Sequence, residues 1–142
     1  GETLVGVEGV EDIRVELWEK MAVVCPLSVL CAIGEWDMGS VRSHPLGAGL
    51  QKAAIAEVLE VGRACGVAIP EGAEERIDER LDRFPDDFFP SVIHDLRSGR
   101  RTEMDDLGGE IVRLGHTHGV PTPLHETGTL IVQLGEQAND PT

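Results

Sequence analysis

The chain has 142 residues, of which 41% are hydrophobic and 4% aromatic, and its formal net charge is −14 at pH 7. This length suits one domain that can bury roughly two-thirds of its unfolded surface. Because so acidic a surface repels phosphate backbones and anionic lipids, we expect neither a nucleic acid nor a membrane as a partner.

The first third of the chain predicts an extended lead-in, a helix and a loop. Residues 1–10 alternate weakly in hydrophobicity, which predicts a strand-like or extended segment. A helical period begins at Glu11, with apolar residues at spacings of four and three: Ile13, Leu17, Met21 and Val24. Pro26 should kink or break this helix, although apolar residues resume after it and continue as far as Gly34. Residues 35–49 hold several glycines and little periodicity, which predicts a loop with one short helix.

The rest of the chain predicts further helices, over residues 50–64, 71–83, 91–98, 102–118 and 123–134. Gly66 and Gly119 suit the position that follows a helix end. Thr102, with Asp105 three residues later, resembles a capping box. Residues 136–142 predict a frayed tail. The fold class predicted is all-α, with five or six helices.

Cysteine usage and the lack of targeting segments predict a cytoplasmic protein. The three cysteines are odd in number and follow no spacing pattern, which argues against a disulfide framework and fits a reducing compartment. No apolar run approaches the roughly 20 residues of a membrane span, and no basic segment opens the chain.

Motifs for nucleotide, metal or nucleophile chemistry are missing. Gly47 and Gly49 are followed by Lys52 where the third glycine of a G-x-G-x-x-G loop would fall, and no G-x-S-x-G occurs. His116 and His118 point about 200° apart on a helix, so they cannot chelate one ion together unless the helix has already ended. These histidines, with His94 and His125 nearby in the sequence, therefore predict no metal site.

The densest basic cluster is formed by Arg97, Arg100 and Arg101. Arginines around a helix end most often form a solvated face that interacts with the helix dipole. The alternative is a local cationic patch that attracts an anionic substrate to an otherwise repellent surface.

Three separated segments could carry chemistry together. They contain Lys20, Ser91 with Asp95, and Glu103. Each also has a structural explanation, because Lys20 could extend from an amphipathic helix, Ser91 could be an N-cap and Glu103 could be a first-turn acid. Their joint order and spacing favour a functional role, whereas Asp95 is predicted to be a structural anchor.

The chain resembles the C-terminal domain of the ketopantoate reductase (2-dehydropantoate 2-reductase) family over residues 12–134. The resemblance rests on D-I-x-x-x-L-W-E-K ending at Lys20, P-S-V-x-x-D-L-R-x-G-R-x-T-E over 90–103, and R-L-G-x-x-x-G-V-P-T-P over 113–123. It implies an all-α domain of the 6-phosphogluconate dehydrogenase C-terminal type over residues 11–135. It also implies an N-terminal Rossmann domain that is absent from this chain, with residues 1–10 leading in from it.

The resemblance implies an NADPH-dependent reductase of a 2-keto acid such as 2-dehydropantoate, in pantothenate biosynthesis, with NADPH held mainly by the Rossmann domain. Lys20 matches the catalytic lysine that protonates the oxygen as hydride reaches the keto carbon, and Glu103 matches the acid beside it. Ser91 matches a substrate-binding serine. Where the family commonly has asparagines, this chain has Val24 and Ser28, and Ser28 is expected to bind substrate weakly.

Two other interpretations remain open. The chain could belong to a related two-domain hydroxyacid dehydrogenase with another substrate, because the loss of a polar partner redirects specificity. It could also be a non-catalytic helical module for interaction or dimerisation. We expect the domain alone to be inactive, since half of the cleft is absent, and a homodimer is possible without any motif that supports it.

Overall fold

The computed structural model describes the backbone of residues 2–139 and the side chains of residues 13–139. All regular secondary structure in this part of the chain is helical, which confirms the all-α prediction. Seven helices follow one another in it: α1 (Glu2–Gly34), α2 (Met38–Ser43), α3 (Gly47–Ala64), α4 (Ala73–Asp82), α5 (Ser91–Arg97), α6 (Gly108–His118) and α7 (Pro123–Asn139).

Helix α1 is the centre of the domain, because each of the other six helices packs against it. Ten of the eleven residues in 22–32 are buried. The α1–α7 crossing is close, since a Cβ atom on Gly128 would lie 2.4 Å from the Cβ of Val29. The α1–α3 crossing is similar, since a Cβ on Gly62 would lie 2.9 Å from the Trp18 ring. Small residues therefore let these helices approach α1.

Pro26 does not break α1, which continues to Gly34. Proline removes one backbone hydrogen bond and costs about 3 kcal/mol in a helix interior. Here Pro26 is buried in the most enclosed stretch of the helix, so tertiary burial on both sides offsets that loss. The predicted break is therefore wrong.

By length and composition, Ile13–Gly34 of α1 could cross a membrane, with 22 residues and a mean hydropathy of 1.5. The expectation that no apolar run is long enough is therefore wrong. Of an 18-residue stretch within this segment, 56% is buried inside the domain. A central core helix meets the same criterion as a membrane span, because it is apolar on most of its faces.

Both ends of the chain are more helical than expected. The backbone of residues 2–10 belongs to α1, so the extended lead-in is wrong there. Weak alternation of apolar residues also fits a helix, since Leu4, Val7 and Val10 recur at a spacing of three. Residues 136–139 belong to α7 rather than to a frayed tail, because two of their side chains bond to the rest of the domain. Gly1 and residues 140–142 lie outside the described residues.

Helix α6 begins six residues later than the capping-box pattern predicts. The Thr102 hydroxyl accepts a hydrogen bond from the Met104 N–H, 3.2 Å away, instead of capping Asp105, and it donates to Glu136 on α7. Because its hydroxyl is committed to these partners and Met104 is buried, residues 103–107 form turns before Gly108 starts the helix.

The other observed helix boundaries lie within three residues of the predicted ones, except that α7 extends to Asn139, past its predicted end at residue 134. Gly66 and Gly119 both have positive φ values, 88° and 70°, as expected of residues that follow a helix.

All three cysteines are free. Burial raises the pKa of the Cys25 thiol to about 12, and burial with the charge of Asp37 does the same for Cys31.

Candidate functional site

Lys20 is exposed on α1, and its two preceding neighbours fix the orientation of the helix. Trp18 packs against Gly62 of α3, and the Glu19 carboxylate forms a 2.5 Å ion pair with Arg76 of α4. Successive helical residues are about 100° apart, so these two contacts turn Lys20 away from α3 and α4. Within the described residues, its ammonium has no ion-pair partner.

Ser91 is the first residue of α5, and its side chain is exposed. The N-cap position is occupied by Pro90, so the structural explanation of Ser91 as the N-cap is wrong. No hydrogen bond of the Ser91 hydroxyl occurs in the described part of the chain. The hydroxyl is therefore free to bind a ligand. Asp95 accepts a hydrogen bond from the Arg100 side chain at 3.2 Å, and its role as a structural anchor stays a prediction.

Glu103 lies in the turn that precedes α6, so it is not a first-turn acid of that helix. Its two neighbours, Thr102 and Met104, are buried and hold the turn against the domain. The Glu103 side chain is exposed, and no group among the described residues pairs with its carboxylate. The chain therefore presents this carboxylate to solvent from a turn that is fixed on both sides.

Ser28 lies two turns after Lys20 on α1, but it is 4% exposed. Its hydroxyl donates to the backbone carbonyl of Val24 at 2.8 Å. Val24 is half-buried, one turn after Lys20. This stretch of α1 therefore offers Lys20 an apolar neighbour and a serine whose proton is already donated within the helix.

The structure brings the helices of these residues together without joining the side chains directly. Helix α1, which carries Lys20, packs against α5, which begins with Ser91, and against α6, which follows Glu103. No hydrogen bond or ion pair connects any two of the three side chains within the described residues. The roles assigned to them by resemblance stay predictions. Chemically, the domain offers an ammonium, a hydroxyl and a carboxylate that its own fold does not use.

The basic cluster is neutralised locally. Arg97 lies 3.7 Å from the Glu35 carboxylate and over the Phe89 ring, and Arg100 pairs with Asp95. Arg101 lies 3.9 Å from an Asp105 oxygen. A cavity of about 590 Å³ is lined by Arg100 and Arg101 and also by the acids Asp105 and Glu136. The solvated face is thus the better explanation of this cluster.

The histidines have separate surroundings. His116 forms a 2.6 Å contact with Glu126 on the surface, His94 packs edge-on against Phe89, and His118 is exposed. No group of three metal-ligating side chains occurs in the described residues.

His125 forms a buried pair with Glu57 that the sequence analysis missed. The Glu57 carboxylate accepts hydrogen bonds from the Leu124 N–H at 3.0 Å and the His125 N–H at 3.1 Å. It also lies 2.8 Å from His125 Nδ1, so that nitrogen carries a proton when the carboxylate is ionised. No local pattern indicates this pair, because its residues are 68 positions apart.

A protein-family model described as "Ketopantoate reductase PanE/ApbA C terminal" matches residues 12–136. The chain belongs to this family. The match covers α1 from its residue 12 to the last turn of α7, and thus includes all four predicted site residues of this ketopantoate reductase domain.

Ketopantoate reductases from archaea are among the relatives of the chain. It is 28% identical over 121 residues to 2-dehydropantoate 2-reductase of Halobacterium salinarum, covering 85% of this chain and 40% of that protein. It is 30% identical over 117 residues to 2-dehydropantoate 2-reductase of Pyrobaculum aerophilum, covering 82% of this chain and 42% of that protein. The ketopantoate reductase domain described here therefore spans about two-fifths of the length of these relatives.

Solved structures share the fold. A ketopantoate reductase from Ralstonia eutropha has a TM-score of 0.78 at 29% identity, over 87% of this chain and 41% of that one. A dimeric ketopantoate reductase from Staphylococcus aureus has a TM-score of 0.81 at 20% identity, over 90% and 44%. D-mandelate dehydrogenase, solved with NADH and anilino(oxo)acetate, has a TM-score of 0.77 at 21% identity, over 90% of this chain and 42% of that one. The last two similarities show the fold alone.

Proposed function

We propose that this chain is the substrate-binding domain of an NADPH-dependent reductase of a 2-keto acid. The observation that carries the proposal is the family match across residues 12–136, within which Lys20 is exposed and unpaired among the described residues. Ketopantoate is the first substrate to test, since the relatives above are 2-dehydropantoate 2-reductases.

The proposed reaction uses Lys20 as a general acid. As a ketone is reduced, negative charge builds on its oxygen, and a positioned ammonium both stabilises and protonates that oxygen. Ser91 would hold the substrate through its free hydroxyl, and Glu103 would orient the lysine. Domain closure would have to bring Glu103 and Lys20 closer, since they form no ion pair here.

This domain by itself does not fit the dinucleotide. The described residues contain no strand, and therefore no strand–loop–helix unit for a pyrophosphate, and the sequence has no G-x-G-x-x-G loop. We propose that a Rossmann domain outside this chain holds NADPH, which supplies the hydride. The cytoplasm is the proposed location, and a homodimer is the proposed assembly, because a similar fold is described as dimeric.

The decisive test is Lys20→Met in the two-domain protein, assayed by NADPH oxidation with ketopantoate and a panel of other 2-keto acids. We expect kcat to fall at least ~10²-fold, the scale on which a general acid contributes. Lys52→Met is the matched control, since Lys52 is the other lysine of the chain and is also exposed. If turnover hardly changes in Lys20→Met, Lys20 is not the general acid. If the two-domain protein reduces no 2-keto acid, the proposed function is wrong.

A further inference from the structure

The turn that carries Glu103 is tied to α7 on both sides of that residue. Before Glu103, the Thr102 hydroxyl donates a hydrogen bond to the Glu136 carboxylate. After it, the Asp105 carboxylate accepts a hydrogen bond from the Gln133 side-chain amide at 2.7 Å. Gln133 and Glu136 are three positions apart, so they share one face of α7. Two neighbouring side chains of one helix thus hold both ends of the segment 102–105.

The backbone of this turn is closed by its own hydrogen bonds, and the Glu103 carboxylate is free of them. The Glu103 carbonyl accepts from the Asp106 N–H at 3.0 Å and from the Leu107 N–H at 3.1 Å. Met104 is 1% exposed, so rotation of the turn would withdraw a side chain from the core. Because no group among the described residues pairs with the Glu103 carboxylate, the turn determines where that carboxylate lies.

The part of α7 that supplies these contacts is itself fixed to α5. The Asn139 side-chain amide donates to the Leu96 carbonyl at 3.0 Å. A Cβ atom on Gly135 would lie 3.2 Å from the Leu96 side chain, so the two helices are in close contact there. The Glu103 turn and α5, which begins with Ser91, are therefore attached to the same end of α7. A site whose supporting residues lie on helices keeps its geometry better than one on loops.

The hydrogen bond between Gln133 and Asp105 is better explained by positioning than by folding. Both side chains are exposed, and a hydrogen bond between exposed groups contributes little net stability, because water can replace it. Arg101 lies 3.9 Å from Asp105, beyond hydrogen-bond distance, so Gln133 makes the contact that orients this carboxylate. In catalysis, by contrast, a displacement of about 1 Å can lower the rate about 100-fold.

We propose that Gln133 is a positioning residue of the reductase, which acts through Asp105 to hold the turn that presents Glu103 to Lys20. This inference rests on the proposed function, in which Glu103 orients the general acid. Glu136 fixes the other end of the same segment through Thr102. Because the contribution of Glu103 is made in the transition state, its displacement lowers kcat and leaves KM nearly unchanged.

The experiment compares Gln133→Leu with Gln137→Leu in the two-domain protein, assayed by NADPH oxidation with ketopantoate and the same panel of 2-keto acids. Both glutamines are exposed one turn apart on α7, and no hydrogen bond of the Gln137 side chain occurs among the described residues. We expect Gln133→Leu to lower kcat about 10-fold, part of the loss that a displacement of about 1 Å causes. We expect KM in this variant, and kcat in the Gln137→Leu control, to stay within about twofold.

The same substitution in a Glu103→Gln background separates positioning from a general structural role. There the carboxylate that Gln133 positions has already been removed, so we expect Gln133→Leu to have no further effect on kcat. A general structural role would lower kcat by the same factor in both backgrounds.

Amide hydrogen exchange in the 142-residue chain measures the hold on the turn without any enzyme assay. We expect Gln133→Leu to speed exchange of the Asp106 and Leu107 N–H groups, which bond to the Glu103 carbonyl, and Gln137→Leu to leave it unchanged. Unchanged kcat in Gln133→Leu, equal losses in the two backgrounds, or unchanged exchange would each overturn the proposal and leave the reductase function standing. A two-domain protein that reduces no 2-keto acid would overturn both.

Discussion

The side chain of Glu57 shows how a single residue of α3 fixes the start of α7. Its carboxylate accepts from two backbone N–H groups in the first turn of α7 and from the His125 ring. These N–H groups have no partner within their own helix. The carboxylate is also near the positive end of the α7 dipole, which stabilises negative charge.

We expect Glu57→Gln to destabilise the domain by about 1–3 kcal/mol, the cost of leaving a buried donor unpaired. The amide places an NH2 group where one carboxylate oxygen accepts, so at least one contact from α7 is lost. Urea unfolding gives the measurement, with Glu60→Gln as control, since Glu60 is exposed on the same helix. Equal stability of the two variants would contradict this role.

At the predicted site, sequence reasoning identified residues whose functional groups are free, but not their arrangement. Ser91 is not the N-cap of α5, because Pro90 occupies that position. Glu103 is not a first-turn acid of α6, because that helix begins at Gly108. The Ser28 hydroxyl, by contrast, is engaged within α1, since it donates a hydrogen bond to the Val24 carbonyl. Such outcomes depend on helix boundaries and burial, which residue type and spacing do not determine.

Among the helices, α1 and α7 depend on a close approach that a glycine permits. Gly128 of α7 is buried against Val29 of α1. In an exposed helix position, alanine is more stable than glycine by about 0.5–1 kcal/mol. Here the added methyl would meet the Val29 side chain at a distance that requires one of the helices to move.

We expect Gly128→Ala to destabilise the domain by about 1–3 kcal/mol, as overpacking does in other cores. Gly49→Ala, in the first turn of α3, should be neutral or stabilising, because a Cβ there would have no neighbour within 4 Å. Thermal unfolding of both variants tests this pair. A Gly128→Ala protein as stable as Gly49→Ala would mean that the α1–α7 spacing adjusts freely.

Local signals predicted helices well where one helix could be judged by itself. The end of α3 at Ala64 and the positive φ values of Gly66 and Gly119, which follow α3 and α6, agree with local capping signals. The errors occurred where another helix decides the outcome. Pro26 stays inside α1 because its neighbours are buried, and Thr102 fails to cap α6 because its hydroxyl bonds to α7.

For the molecule as a whole, the excess of acidic residues opposes compaction. The chain has 26 acidic and 12 basic side chains, and like charges repel most strongly when folding brings them together. Exposed ion pairs such as Arg113 with Glu110 offset this repulsion only slightly, since solvent screens them.

We expect the melting temperature to rise with NaCl, because the Debye length falls from about 10 Å at 0.1 M to about 3 Å at 1 M. A Glu75→Lys/Glu79→Lys variant changes the formal charge from −14 to −10 and should show a smaller salt effect. Both residues are exposed on α4, so packing is preserved. A melting temperature that falls with salt would show that ion pairs outweigh the net repulsion.

By itself, the sequence determined the all-α class, most of the helices and the membership of the family, because periodicity, caps and short motifs are written in neighbouring residues. The tertiary structure decided which polar groups remain free, how Glu57 reaches α7, and how Gln133 reaches the turn that carries Glu103. These depend on contacts between residues far apart in the chain. Such contacts form only when the core closes, so local sequence carries no signal of them.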